Sequence, residues 1–347
     1  MKKIFIAALA LAAVAACTKE MVVSDQKDAI TFNSSFVDNA TRAAYDGSYN
    51  TDNLTEFQVY GTITGGAAGE GTANIFNAER VVKGASLGQG TNWSYNSLNT
   101  QYWIPGNNYQ FRAIADGNIA GATSVVALES DKYMATKINV LDASKQRDIL
   151  TAEYNITNFT LPANGVAPDP ISFTFTHILS KAKFTVKNTI TTDNGYSYKV
   201  SAIALNDLAK NGVYTITNGA TGTWAAAATP ATYSLSFGDV TVEGKAVEAD
   251  ATVADIKYNK SAESNFDRLL IPGTQTLKIS FSYGLYKDGV LIDAQDKTLT
   301  ADVTLDAAKA YNFVISLGNP GEPIQFDVLT VTDWDKSHTG YAPGLNM

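Results

Sequence analysis

The sequence predicts an all-β protein built as two tandem antiparallel β-sandwich domains. Three observations lead there. Short runs alternate apolar and polar residues with period two and are rich in β-branched and aromatic side chains. Clusters of Gly, Pro, Asn and Asp separate these runs. Helical periodicity is weak, with Leu141 to Leu150 the best candidate for a short crossover helix.

The chain opens Met1-Lys2-Lys3, continues uncharged from Ile4 to Val14, and reaches Ala15-Ala16-Cys17. An apolar run of about eleven residues is too short to span ~30 Å of hydrocarbon as a helix, and it fits the core of a signal peptide. Val14-Ala15-Ala16-Cys17 resembles a bacterial lipobox, in which the cysteine thiol is acylated and becomes the new N-terminus. An incidental cysteine in an ordinary secretory signal is the alternative. Residues 1–17 are therefore read as a lipoprotein signal peptide ending on lipidated Cys17, and residues 18–42 as a propeptide.

Cys17 is the only cysteine, so an exported fold cannot be stapled by disulfides and must rest on core burial. The length after Cys17 allows two domains of ordinary size. No later segment is apolar for ~18 residues, so the body is expected to be soluble and held to the membrane by lipid. The net charge of -8, without a basic stripe, argues against nucleic-acid binding.

Strands are expected at Phe57–Thr64, Tyr109–Ile114, Ile171–Thr176, Leu277–Tyr283 and Tyr311–Ile315. Turns are expected at Pro105–Asn108, Asp116–Asn118, Pro272-Gly273 and Asp288-Gly289. The Gly- and Ala-rich stretch Gly65–Gly71 lacks the Gly-Lys-Ser/Thr ending of a phosphate loop and reads as a flexible hairpin tip. Leu161–Pro170, with three prolines and a glycine, reads as an interdomain link. It divides the body into an N-terminal sandwich, 43–165, and a C-terminal one, 166–347.

Little in the chain suggests catalysis. Of the two histidines, His177 shares a strand face with Ile171, Phe173 and Phe175 and reads as a core or interface residue, while His338 lies in a polar tail. There is no Gly-x-Ser-x-Gly elbow, and few ligands exist for zinc. Asp333 and Asp335 lack the spacing of a calcium loop and read as a solvated turn. No metal or other cofactor is expected. Trp93, Tyr95, Tyr102 and Trp103 read as core and sheet-face residues, with an exposed binding surface as the alternative.

Two segments at the ends of the chain match. Ala29–Phe36 alternates with Ile30, Phe32 and Phe36 on one face. Ile324-Gln325-Phe326-Asp327-Val328 alternates likewise, and then the phase slips so that Leu329 and Val331 continue on the other face. Such a slip predicts a bulge or break. The second segment follows Gly318–Pro323, a linker with two glycines and two prolines that would let the last strand lift off its own domain. Between the first segment and the sandwich, Asn39–Ala44 is small and polar and offers Arg42 to a trypsin-like protease.

Cutting after Arg42 would remove the early strand together with the lipid. The groove left behind would hold unpaired backbone groups that a strand from a neighbour can satisfy. Head-to-tail exchange of this kind does not close, so it builds a filament. The alternative is an ordinary first strand and one exposed arginine among several.

Several motifs, in order, resemble the fimbrillin family, the type V pilin-like, Mfa-like lipoproteins of anaerobic Gram-negative bacteria. They are the lipobox at Cys17, Ala40-Thr41-Arg42-Ala43, Tyr102–Gly106 followed by Tyr109–Ala113, and Arg147-Asp148-Ile149-Leu150. The later ones are Phe175–Phe184, Leu270-Ile271-Pro272-Gly273 and Val331–Asp335. The resemblance spans most of the chain and implies two transthyretin-like sandwich domains exported to the outer membrane surface. It implies acylation at Cys17, cleavage of Arg42-Ala43 by an Arg-specific protease, and polymerisation by donor-strand exchange. Residues Ile324, Phe326, Val328, Leu329, Val331 and Trp334 would supply the donor strand, and Ile30, Phe32 and Phe36 the displaced one.

The function expected is a structural subunit of a surface pilus, partnered by other pilin subunits of the same or related sequence. The alternative is a non-polymerising surface lipoprotein, tip adhesin or pilus anchor that binds a glycan or host protein. A polysaccharide-degrading enzyme ranks third.

Overall fold

The structure is a computed structural model, and it describes residues 28–37, 54–65, 71–116, 123–127, 134–139, 148–190, 195–216, 222–226, 232–243, 261–263, 268–318 and 324–333. The first strands in chain order are β1 (Phe32–Val37), β2 (Glu56–Thr64), β3 (Thr72–Lys83), β4 (Gly88–Gln89), β5 (Trp93–Asn96) and β6 (Asn108–Ala115). They are followed by β7 (Thr123–Ala127), β8 (Met134–Asn139), β9 (Leu150–Ile156), β10 (Ile171–His177) and β11 (Ser180–Asn188). Next come β12 (Tyr196–Ala209), β13 (Asn211–Ile216), β14 (Thr223–Ala226), β15 (Thr232–Ser236), β16 (Val240–Glu243) and β17 (Ser261–Glu263). The last are β18 (Arg268–Leu270), β19 (Gly273–Lys287), β20 (Val290–Leu305), β21 (Lys309–Leu317) and β22 (Gln325–Asp333). The protein is all-β. Among the described residues no helix is long and apolar enough to cross a membrane.

The first sheet runs β1-β10-β9-β6-β2-β3-β5-β4, and β1 also meets β5 through Phe32 opposite Trp93. The sheet therefore folds round on itself, with β1 closing the ring. Alternation does this work: Phe57 and Val59, Tyr109 and Phe111, and Ile171, Phe173 and Phe175 all turn inward. Their rings pack edge-on or tilted around Phe57, Phe76 and Phe173.

The second core lies between two sheets, β17-β11-β21-β22 and β15-β12-β19-β20. In the long strand β12 the inward residues are Tyr198, Val200, Ile203, Leu205 and Leu208. The phase changes after Val200 and again after Leu205, where the register shifts and Ala202 and Asp207 take positive φ of 52° and 60°. Two bulges thus keep one apolar face turned to the core across a strand whose sequence does not alternate strictly. At the β19–β20 hairpin, Asp288 and Gly289 have φ of 47° and 81°, the left-handed pair that a two-residue turn of this twist requires.

A third apolar cluster joins Tyr60, Ile114 and Ile149 to Ile178, Leu179, Leu269 and Ile271. A four-stranded sheet, β14-β13-β8-β7, also takes strands from both halves of the chain.

All five strands expected from alternation are present, three of them slightly longer than their apolar signal and β19 and β21 about twice as long. Thr64 pairs with Thr72, so Gly65–Gly71 does link a hairpin, although residues 66–70 lie outside the described ones. The helix expected over Leu141–Leu150 is corrected at its end. Leu150 opens strand β9, buried opposite Ala115 and His177, and residues 141–147 lie outside the described ones. Here packing of a leucine between two strands overrides a weak helical period. The proline-rich stretch Leu161–Pro170 contains a 3₁₀ turn, Ala163–Gly165, and leads into β10. That strand still pairs with β9 and β1, so the chain leaves the first sheet only after His177.

Candidate functional site

The early strand is held by side chains more than by its ladder. Ile30 and Phe32 are 0% and 2% exposed. The Phe32 ring lies 5.3 Å from Phe76, 5.5 Å from Tyr95, 6.2 Å from Phe111 and 6.0 Å from Phe173, centroid to centroid. Before β1 begins, the Ile30 amide donates to the Gln101 carbonyl at 2.8 Å, and the Tyr95 hydroxyl donates to the Ile30 carbonyl at 2.8 Å. Burial pushes the Tyr95 hydroxyl pKa well up, outweighing the amide of Gln101 that points at it.

The ladder itself is sparse. β1 runs parallel to β10 over five residue pairs, from Phe32–Ile171 to Val37–Phe175, with a register shift between Ser34 and Phe36. Against β5 it makes the single pair Phe32–Trp93. The shift sets Phe36 beside Thr174, an outward position on β10, so in backbone register Phe36 is out of step with Ile30 and Phe32. Strict alternation expects no such shift, and one extra residue in the strand accounts for it in the backbone.

The last strand is held the other way round. β22 runs antiparallel to β21 over eight pairs, from Ser316–Gln325 to Lys309–Asp333. Its register shifts between the pairs Phe313–Val328 and Asn312–Thr330, which makes Leu329 the extra residue at the point where the sequence phase slips. Ile324 and Phe326 are half-buried against the second core. The Phe326 ring stacks on Phe313 at 5.9 Å and 15°, and lies 6.4 Å from Phe184. Just before the linker, the Tyr198 hydroxyl donates to the Gly318 carbonyl at 2.5 Å. Cys17, Arg42, Ala43 and Trp334 lie outside the described residues, as do Asp335 and His338.

Two polar groups inside the fold escaped sequence reasoning. His177 is buried as expected, but its partner was not foreseen: Nδ1 lies 2.6 Å from Asp148 Oδ2, and both side chains are almost wholly buried. The two residues sit in separate motifs, Arg147–Leu150 and Phe175–Phe184, and β9 lying against β10 brings them together. Arg112 on β6 is also buried and donates through Nη1 to Asn155 Oδ1 at 2.9 Å and to its neighbour's carbonyl, with Nη2 3.2 Å from Glu153. Arg112 and Glu153 face each other in register across β6 and β9. A charged residue in an apolar run was the available signal, since a buried arginine needs a partner.

Of the four aromatics weighed as a binding surface, Trp93, Tyr95 and Trp103 are core, and Tyr102 alone is exposed. Among the described residues no three His, Cys, Asp or Glu side chains gather as a metal site.

A ring-shaped sheet closed by the first described strand, followed by a sandwich edged by the last, defines an all-β protein of two cores. The profile of the family described as fimbrillin-like matches residues 41–334, and the chain belongs to that family. The fold is similar to that of a fimbrial protein from Bacteroides vulgatus, with a TM-score of 0.54 and 15% identity, over 83% of this chain and 98% of that one. The fimbrial anchor protein Mfa2 from Porphyromonas gingivalis aligns at a TM-score of 0.35 and 12% identity, over 88% of this chain and 95% of the other. Comparison with curated proteins returns no match.

Proposed function

We propose that the chain is a structural subunit of a cell-surface pilus that polymerises by exchanging β1 for the terminal strand of another copy. In this reading it is exported as a lipoprotein acylated at Cys17 and held to the outer membrane by that lipid. An Arg-specific protease then cuts after Arg42, leaving Ala43 as the new N-terminus. Its two working units are the first ring, β10 included, and the sandwich that follows, with the chain crossing between them at Ile178-Leu179 rather than at the expected boundary of 165/166.

One observation carries the reading. β1 is the strand that closes the first sheet, yet it meets β5 at a single pair while its Ile30 and Phe32 fill the core. Losing it opens the ring and leaves an apolar slot beside the free edge of β10, which a strand of alternating pattern can fill. Ile324, Phe326 and Val328 repeat the spacing that Ile30 and Phe32 begin. Arg42 follows β1 by five residues, so a cut there separates the closing strand from everything after it. Family membership supports association with other pilus subunits.

The test is the N-terminus of the surface protein, read by mass spectrometry before and after an Arg-specific protease, alongside a non-reducing gel of unheated samples. A start at Ala43 with a ladder of multimers is the expected result. A start at acylated Cys17 that survives the protease, with monomer alone on the gel, overturns polymerisation and makes the protein a lipid-held anchor or adhesin.

A further inference from the structure

The outer face of the sheet β15-β12-β19-β20 carries a depression of about 390 Å³ that neither core uses. Its floor follows from register. Lys199 on β12 lies between Thr241 on β16 and Gly284 on β19, and Gly284 faces Ala294 on β20. Gly284 and Ala294 make a low row crossing the sheet. On one side stand Tyr286 and its cross-strand partner Leu291, and on the other Ser282 and its partner Asp296.

The glycine is required for this shape. A Cβ on Gly284 would sit 3.0 Å from Tyr286 Cε2 and 3.2 Å from Leu291 Cδ1, so the two side chains lean over the place where a side chain would be. Leu291 is 51% exposed, beside Val290 and Ile292 at 67% and 51%, an apolar run at the hairpin that the protein's own core does not cover.

The chemistry around this floor is mixed in a particular way. The exposed Lys199 ammonium rests 4.5 Å from the centre of the Tyr286 ring. The exposed carboxylate of Asp239 borders the same depression, with one oxygen 3.3 Å from the Ala202 amide. Ser282 donates to Asp296 Oδ1 at 2.5 Å at the far wall. Donors and acceptors alternate around one aromatic ring, and the charges nearly cancel. An anion would meet Asp239, and a cation would meet Lys199. A neutral ligand with apolar ring faces and many hydroxyls, which both donates and accepts, meets neither penalty.

We propose that this depression binds a neutral saccharide, one pyranose ring lying against Tyr286 over Gly284. Its hydroxyls donate to Asp239 and accept from Lys199. The site is on the second unit and is independent of β1 and of polymerisation, so it operates equally in a monomer and in a filament.

The test is binding of the labelled full chain to an array of immobilised neutral and sialylated oligosaccharides, followed by calorimetric titration with the strongest free oligosaccharide. Neutral glycans are expected to bind, with Tyr286→Ala weakening the affinity at least tenfold and Lys199→Ala, a surface change, about threefold. Gly284→Val should abolish binding, read in protein whose melting transition matches the parent. Tyr102→Ala, on the other unit, should leave affinity unchanged. No binding to any neutral glycan, preference for sialylated ones, or affinity indifferent to both Tyr286→Ala and Lys199→Ala overturns the proposal.

Discussion

The first and last strands of the chain are attached by opposite means. β1 sinks Ile30 and Phe32 into the first core and contacts four rings through Phe32, while its backbone has five parallel pairs on one side and one pair on the other. β22 has eight antiparallel pairs with β21, but Ile324 and Phe326 are only half-buried. Removing β1 costs mainly apolar burial and leaves a hole. Lifting β22 breaks eight backbone pairs with β21 and leaves a bare edge. A slot that lacks apolar side chains and a free strand that carries them are complementary, which is what strand exchange needs.

The largest effect should come from the ring at the centre of the first core. Phe32→Ala in the uncleaved chain should cost about 4 kcal/mol, measured by urea unfolding followed through tryptophan fluorescence. An equal loss for Phe326→Ala, expected at about 2 kcal/mol because that ring is half-buried, would break the comparison.

Between these two stands the buried pair beside β1's neighbour. Asp148→Ala leaves His177 inside the fold without its carboxylate and should cost about 3 kcal/mol, seen as a lower unfolding midpoint. An unchanged midpoint would mean that the pair does not hold β9 to β10.

A smaller change tests the tie between Tyr95 and β1. Tyr95→Phe removes the bond to the Ile30 carbonyl and should cost about 1 kcal/mol at neutral pH. The pH dependence follows from burial. Because the folded-state pKa of Tyr95 is raised, the protein loses no stability through this group below about pH 10. Above that the unfolded chain ionises first and stability falls as pH rises. Part of this alkaline loss should vanish in Tyr95→Phe, and a parent and variant that fall in parallel would contradict it.

The smallest effect belongs to the exposed pair of Arg80 and Glu56, where the arginine side chain is 55% exposed. Arg80→Ala should shift stability by less than about 0.5 kcal/mol, as calorimetry at moderate salt would register.

Much of this was legible without coordinates. Alternation marked β2, β6, β10, β19 and β21 because a half-buried strand must place every second side chain in the core. The phase slip at Leu329 marked a bulge for the same reason. The bulge between Ser34 and Phe36 left no such mark: Ser34 and Ser35 are small and polar, so either phase reads equally well and the shift in register was not foreseen. Leu150, expected as the end of a helix, opens a strand because a short apolar stretch fits both periods and only its neighbours decide.

The sequence by itself determined the local alternation, the turns at Pro105-Gly106 and Asp288-Gly289, the single cysteine, and the likeness of the two terminal segments, since each depends on residues close in the chain. Tertiary structure alone decided that β1 closes a ring, that Asp148 meets His177, and that Gly284 opens a depression on a sheet face. Each of these joins residues distant in sequence, and their spacing is set by strand register, which one extra residue can shift.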